Sequence, residues 1–230
     1  MRRVLTILLC LILVCIPARA AAQEELVALT FDDGPSGRFT RRLLDGLARR
    51  DAKATFLLCG YRLEQYPNLA EDIAAMGHEV GVHGYSHRSM CAMTRKELSD
   101  EIRKTLPLLP AEGIVFLRPP GGLCDDRVQD VAKEFDLAIL QWSVDPKDWA
   151  IDDAVEIARR VLSRVRDGDV ILLHDMSDSS VDAALMIVDA LQKRGFRFVT
   201  ASQLARERGC ALSPGKVYSA FYPQDPKENK

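Results

Sequence analysis

Two aspartates side by side at the end of an apolar run are the first residues in this chain that could do chemistry. Residues 26–31 deliver Asp32-Asp33-Gly34-Pro35. Adjacent carboxylates leaving a buried strand repel each other and lose solvation. A cation held by one of them would relieve the repulsion and leave the other free as a base. The same four residues equally suit a solvent-exposed turn, given the turn chemistry of Gly and Pro. Further on, Val82-His83-Gly84-Tyr85-Ser86-His87 places two histidines four apart. They can share one metal if the segment turns helically. With one aspartate they make three N/O ligands and leave a position open for water, the pattern of a catalytic rather than a structural zinc. Two surface histidines are the plainer alternative. His78 precedes its strand, at the wrong end, and reads as structural or surface.

Three later segments carry weaker signals. Phe116-Leu117-Arg118-Pro119-Pro120-Gly121-Gly122 is either a stiff turn with a surface arginine or an arginine placed to hold a carboxylate, with glycine N–H groups facing a site. Asp145-Pro146-Lys147-Asp148-Trp149 sets a tryptophan beside acids, as partial core or as a flat wall for a sugar ring. Ile171-Leu172-Leu173-His174-Asp175 ends a run on a histidine that by itself suits a satisfied core or rim position.

The elements that must position these residues follow from apolar periodicity. Strands rich in Val, Leu, Ile and Phe, as buried on both faces, are predicted at residues 26–31, 54–58, 79–83, 114–117, 138–142, 169–174 and 196–199. Helices are predicted at 38–50, 67–76, 126–135, 151–166 and 180–194 from apolar residues at three-to-four spacing. Thr94 with Glu97 makes a capping box that opens another, and Gly195 sits where a C-cap glycine belongs. Seven strands, most followed by a helix, indicate a parallel α/β architecture. The candidate residues gather at C-terminal ends of strands, the edge that carries sites in barrels and open sheets alike. Periodicity does not separate those two.

The 230 residues, 47% hydrophobic and 28% charged, suffice for one domain with a proper core. Met1-Arg2-Arg3, an apolar run over residues 4–16 and Pro17-Ala18-Arg19-Ala20 have the layout of a secretory signal at residues 1–20. The run is too short to span a bilayer, so no stable membrane insertion is expected once the signal is removed. Loss of Arg2, Arg3 and Arg19 takes the net charge from −2 to about −5. No basic patch or aromatic–basic interleaving suggests nucleic acid. Cys59, Cys91, Cys124 and Cys210 remain, without paired zinc-site spacing. Cys91 and Cys124 each follow a candidate motif, where a disulfide pinning two loops and free thiols both fit. Residues 223–230 form a polar tail.

Taken together and in order, these segments resemble the polysaccharide deacetylase family, the NodB-type domain of carbohydrate esterase family 4. Thr30 to Pro35 is similar to its T-F-D-D-G-P motif, and His83 to His87 to H-x-x-S-H. Arg118-Pro119-Pro120 resembles R-P-P-Y, Asp145 to Trp149 resembles D-x-x-D-W, and Leu172 to Asp175 resembles L-x-H-D. The resemblance covers nearly the whole chain after the signal, with residues 21–222 as the catalytic domain. It implies a deformed (β/α)7 barrel that removes N-acetyl groups from amino sugars of a polysaccharide, such as peptidoglycan or a chitin-like oligomer, and the export signal places that activity outside the cell. It implies one divalent metal ion, usually zinc, held by Asp33, His83 and His87. Asp32 would be the base, Arg118 would orient it, and His174 would be the acid. Asp148 would support both Arg118 and His174. The N–H of Gly121 would serve the oxyanion and Leu172 would line the acetyl pocket, with Trp149 kept as the candidate wall for a sugar ring. The departure is Gly121, where the family commonly has tyrosine: the N–H survives and a groove wall is lost. A monomer is expected. An O-acetyl xylan esterase or a non-sugar amide hydrolase would use the same residues. A silent glycan-binding module would not need an acid–base pair beside a metal.

Overall fold

The computed structural model describes residues 24–110 and 113–223. The expected export signal lies outside the described residues, as does the expected tail beyond residue 223. None of the described helices is long and apolar enough to cross a membrane.

The strands are β1 (Glu25–Asp32), β2 (Ala54–Leu58), β3 (Glu79–Val82), β4 (Phe116–Leu117), β5 (Ala138–Leu140), β6 (Val170–His174), β7 (Phe196–Phe198) and β8 (Val217–Tyr218). The helices are α1 (Arg38–Ala48), α2 (Gly60–Gln65), α3 (Leu69–Ala75), α4 (Arg95–Thr105), α5 (Asp126–Glu134), α6 (Ala154–Leu162), α7 (Asp178–Lys193) and α8 (Ala201–Glu207). All the ladders are parallel, in the order β6-β1-β2-β3-β4-β5-β8, with β7 paired to the first residues of β1. The sheet curls far enough for single bridges to join its ends: Val144, beyond β5, meets Ile171 in β6, and Asp169 meets Ala220. The architecture is therefore a deformed barrel, which settles what periodicity left open.

Alternation along the strands decides what faces the site. In β1, Val27, Leu29 and Phe31 join the main core beneath the helices, while Leu26 and Ala28 pack in a second cluster with Leu57, Phe116, Leu140 and Tyr218. Successive side chains point to opposite faces. Thr30 and Asp32 therefore continue the column of Leu26 and Ala28 and rise above that second cluster. Val170, Leu172 and His174 do the same in β6. The outer face is covered by helices such as α1, which buries Thr40, Leu43, Leu44 and Leu47 on one stripe.

The seven predicted strands are all present, several trimmed. Pairing in β4 is limited to Phe116–Leu117, and β3 ends at Val82, one residue before His83. The predicted helix over 151–166 is shorter, because Asp153 caps it with bonds from the Val155 and Glu156 N–H groups. The predicted capping box of α4 is present at Thr94 and Glu97. Among the described residues, two α-helices and one strand are additional. Helix α2 is too short to show periodicity, β8 has two residues, and α8 opens with a Thr200–Gln203 capping box that the sequence does carry. Cys59, Cys91, Cys124 and Cys210 are all free thiols, so no disulfide pins the Cys91 and Cys124 loops.

Candidate active site

Asp32 closes β1 and Asp33 opens the loop after it. Asp33 takes a left-handed φ of 70°, and His87 a φ of 59°. Non-glycine residues are uncommon there and are found where a site needs a side chain aimed. The two turns bring Asp33 Oδ1 within 3.2 Å of His83 Nε2 and 2.9 Å of His87 Nε2. One ligand atom from each of the three lies within 4.8 Å of the others.

The surroundings suit a cation. His83 is buried, and its Nδ1–H donates to the Arg118 carbonyl at 2.8 Å. That bond fixes the tautomer and turns the Nε2 lone pair toward Asp33. Asp33 Oδ1 is buried and has no polar neighbour to satisfy it among the described residues beyond these two imidazole nitrogens. Burial works to raise the Asp33 carboxyl, but hydrogen bonds and charge from His83 and His87 outweigh it and hold it well below the ordinary carboxylate range. In turn the hydrogen bond with Asp33 raises His87. An aspartate and two imidazoles that pull so strongly toward shared positive charge form a donor set that fits one divalent ion with room for water.

Asp32 is also buried, and Arg118 is completely so. Arg118 Nη1 donates to Asp32 Oδ1 at 2.6 Å and to Thr30 Oγ1 at 2.9 Å, Nε to the Leu140 carbonyl at 2.8 Å, and Nη2 to the Gln141 carbonyl at 2.9 Å. The guanidinium is thereby locked under the β1 terminus, leaving Asp32 Oδ2 at 3.8 Å from His83 Nε2.

On the other side, both Asp148 oxygens are committed to His174: Oδ2 accepts the backbone N–H and Oδ1 meets Nδ1, each at 2.8 Å. Burial would lower the imidazole, but the Asp148 hydrogen bond and charge, with Asp32 and Asp33 behind it, raise it to about 9. The expectation that Asp148 also supports Arg118 is corrected here. The arginine's partners are Asp32, Thr30 and two carbonyls, and they leave Asp148 to the histidine alone.

Asp32, Asp33, His83, His87, Gly121, Trp149, Leu172 and His174 line one cavity of about 430 Å³, with Trp142 and Asp145. Arg118 lies beneath it. Asp148 lines the adjoining cavity, and Trp149, 69% exposed, stands between the two. Gly121 has a left-handed φ of 69° and nothing within 4 Å of where a Cβ would stand. A side chain at this position would have space, but its backbone would be strained.

Sequence reasoning missed two carboxylates that hold the site's loops. Glu101, on α4, accepts from the Tyr85 and Ser86 N–H groups at 2.7 and 2.8 Å and from the Ser86 hydroxyl at 2.8 Å, so it shapes the turn before His87. Asp175 is fully buried, and burial pushes its carboxyl up to about 7. Glu101 gives no sequence signal, being one acid among several on a polar helix. Asp175 belongs to a motif whose histidine drew the attention.

Comparison with known proteins identifies the family. The family model described as polysaccharide deacetylase matches residues 19–140. A peptidoglycan-N-acetylglucosamine deacetylase of Bacillus cereus is 36% identical, over 80% of this chain and 89% of its own. The peptidoglycan-N-acetylmuramic acid deacetylase PdaC of Bacillus subtilis is also 36% identical, over 79% of this chain. This chain spans only 39% of that longer protein and 42% of a similar Listeria monocytogenes peptidoglycan deacetylase. A family 4 acetyl xylan esterase from Clostridium thermocellum, solved with a cobalt ion, superimposes with a TM-score of 0.79 at 30% identity, covering 85% of this chain and 98% of that one.

Proposed function

The chain belongs to the polysaccharide deacetylase family, and from that premise we propose that it is a metal-dependent hydrolase removing N-acetyl groups from amino sugars of a cell-wall glycan, peptidoglycan or a chitin-like oligomer, outside the cell. The observation that carries the reading is the triad of Asp33, His83 and His87, with Asp32 beside it and His174 across the same cavity.

Asp33, His83 and His87 would hold the ion, zinc in the first instance. Bound there, a divalent ion polarises a carbonyl and makes water more acidic. The chain's own residues do the rest. Asp32 takes the proton of the attacking water on Oδ2, while Arg118 fixes Oδ1 so that the free oxygen faces the cavity. The N–H of Gly121 donates to the oxyanion, a contribution worth about 3 kcal/mol for one such donor. Asp148 orients His174 through Nδ1, which leaves Nε2 to protonate the departing nitrogen. Leu172, nearly buried in the cavity wall, offers an apolar contact for the acetyl methyl, and Trp149 a flat face for a sugar ring.

The test is acetate release from chitin oligomers, peptidoglycan and acetylated xylan side by side, before and after chelation, with zinc restored. Release from the N-acetylated glycans that a chelator abolishes and zinc restores supports the reading. Release from xylan alone favours the O-ester reading, to which the likeness to the xylan esterase structure also points. No release from any of them leaves a glycan-binding module.

A further inference from the structure

Asp175 immediately follows His174 and has no part in the chemistry above. It is wholly buried, and what surrounds it is the loop joining β1 to α1. The Ser36 hydroxyl donates to the Asp175 carbonyl, and the Thr40 hydroxyl donates to Asp175 Oδ2. The Ser36 N–H donates to Thr40 Oγ1 at 2.8 Å, which closes the set. Asp175 Oδ1 lies against Gly34, where an added Cβ would stand only 2.6 Å from it. The same Gly34 accepts the Cys59 N–H at 3.0 Å, which ties the loop to the end of β2.

These contacts fall one, three and seven residues beyond Asp33, whose left-handed backbone is the strained point of the loop. Such a conformation persists only where its surroundings over-determine it. An apolar side chain at position 175 would fill the space without the cost of burying a carboxyl. It would keep the Ser36 bond to the backbone carbonyl but lose the directional bond that holds Thr40. Ser36 and Thr40 are themselves buried, so the network is closed off from solvent.

We propose that Asp175 is a positioning residue for Asp33. Its carboxylate accepts from Thr40 and packs against Gly34 while its backbone carbonyl accepts from Ser36; together these fix the turn that aims Asp33 Oδ1 at the Nε2 atoms of His83 and His87, and so set metal affinity without touching the ion. The inference rests on the reading of those three residues as ligands. It also accounts for the buried carboxyl next to His174, which joins the strand that carries the proposed acid to the loop that carries the proposed ligand.

The experiment measures zinc affinity of the full chain by competition with a chromophoric chelator, together with melting of the metal-free protein. Thr40→Val, Ser36→Ala and Asp175→Ala are each expected to weaken zinc binding roughly 10–100-fold, the usual effect of losing a group that orients a ligand. Asp175→Asn keeps an acceptor for Thr40 and is expected to retain most of the affinity. Wild-type affinity in Thr40→Val and Ser36→Ala, with lower melting temperature as the only change, would overturn the proposal. So would an Asp175→Asn loss as large as that of Asp175→Ala, which would make charge rather than position the cause. Asp33→Ala separates the two levels: if it binds zinc like wild type, the ligand reading itself fails.

Discussion

Asp32 and His174 are register partners, facing each other across the parallel pairing of β1 and β6 at the C-terminal end of both strands. They lie 142 positions apart in the chain, and one ladder sets their spacing. Each is fixed by one further charged residue, Arg118 for Asp32 and Asp148 for His174. The proposed base and acid thus belong to two separate hydrogen-bond networks that share a cavity.

The Asp148 network makes a pH prediction. His174 must carry a proton to donate one, and its raised value keeps the protonated form present until the pH climbs to about 9. In Asp148→Asn the leading cause that raises it is gone, and burial, which lowers it, remains. The alkaline limb of the kcat profile should move to lower pH by about 1–3 units, and kcat should fall. A limb unmoved in Asp148→Asn would remove His174 as the group titrating there.

Asp32 and His83 should separate chemistry from metal binding. Asp32→Asn is expected to keep stoichiometric zinc and lose about 10²–10⁴ in kcat, the usual contribution of a positioned base. His83→Ala is expected to lose the zinc as well. Elemental analysis of the purified variants beside acetate-release rates checks both, and a metal-replete Asp32→Asn that turns over at the wild-type rate would exclude it as the base.

Arg118→Met tests the buried ion pair. Neither partner has appreciable solvent contact, so removal of the guanidinium strands the Asp32 carboxylate and frees the Leu140 and Gln141 carbonyls. Breaking a buried pair from one side costs about 3–5 kcal/mol. Urea denaturation at neutral pH should show a loss of that size, against a few tenths for Arg103→Met on the exposed face of α4.

Glu101→Ala should act on His87 alone. The turn from Tyr85 to His87 loses three bonds to one carboxylate, while Asp32, Arg118 and His174 keep theirs. Zinc affinity should weaken roughly 10–100-fold, with kcat at saturating zinc little changed. A drop in kcat that excess zinc does not restore would show that Glu101 does more than shape the turn.

At Gly121 and Gly122 space and strain can be told apart. Gly121→Ala meets no neighbour, so its cost is the left-handed backbone, about 1–2 kcal/mol. Gly122→Ala adds a collision with Trp142, whose Cη2 lies 2.6 Å from the new Cβ. Thermal melts should rank Gly122→Ala as clearly the less stable, and equal melts would mean that this loop adjusts freely.

Much of this molecule could be read along the chain, because the information is local. Apolar runs placed the strands, three-to-four spacing placed most helices, and the Thr94–Glu97 cap set the start of α4. Motif residues such as Asp33, His83 and His87 could be singled out because each type carries its own chemistry and each follows a strand's C-terminal end within a few residues. What periodicity could not supply were elements too short to show a period, α2 and β8, and closure of the sheet, which rests on two bridges between residues far apart in sequence.

The sequence by itself determined which groups are available and which strand each one ends or follows. Only the tertiary structure decided the rest of who holds whom: Asp148 serves His174 and not Arg118, Glu101 shapes the His87 turn, and Thr40 and Ser36 enclose Asp175. The reason is geometric. Side-chain direction within an element follows a period of two or 3.6 residues and can be read locally, whereas a hydrogen bond across 86 or 135 positions depends on how the whole sheet curls.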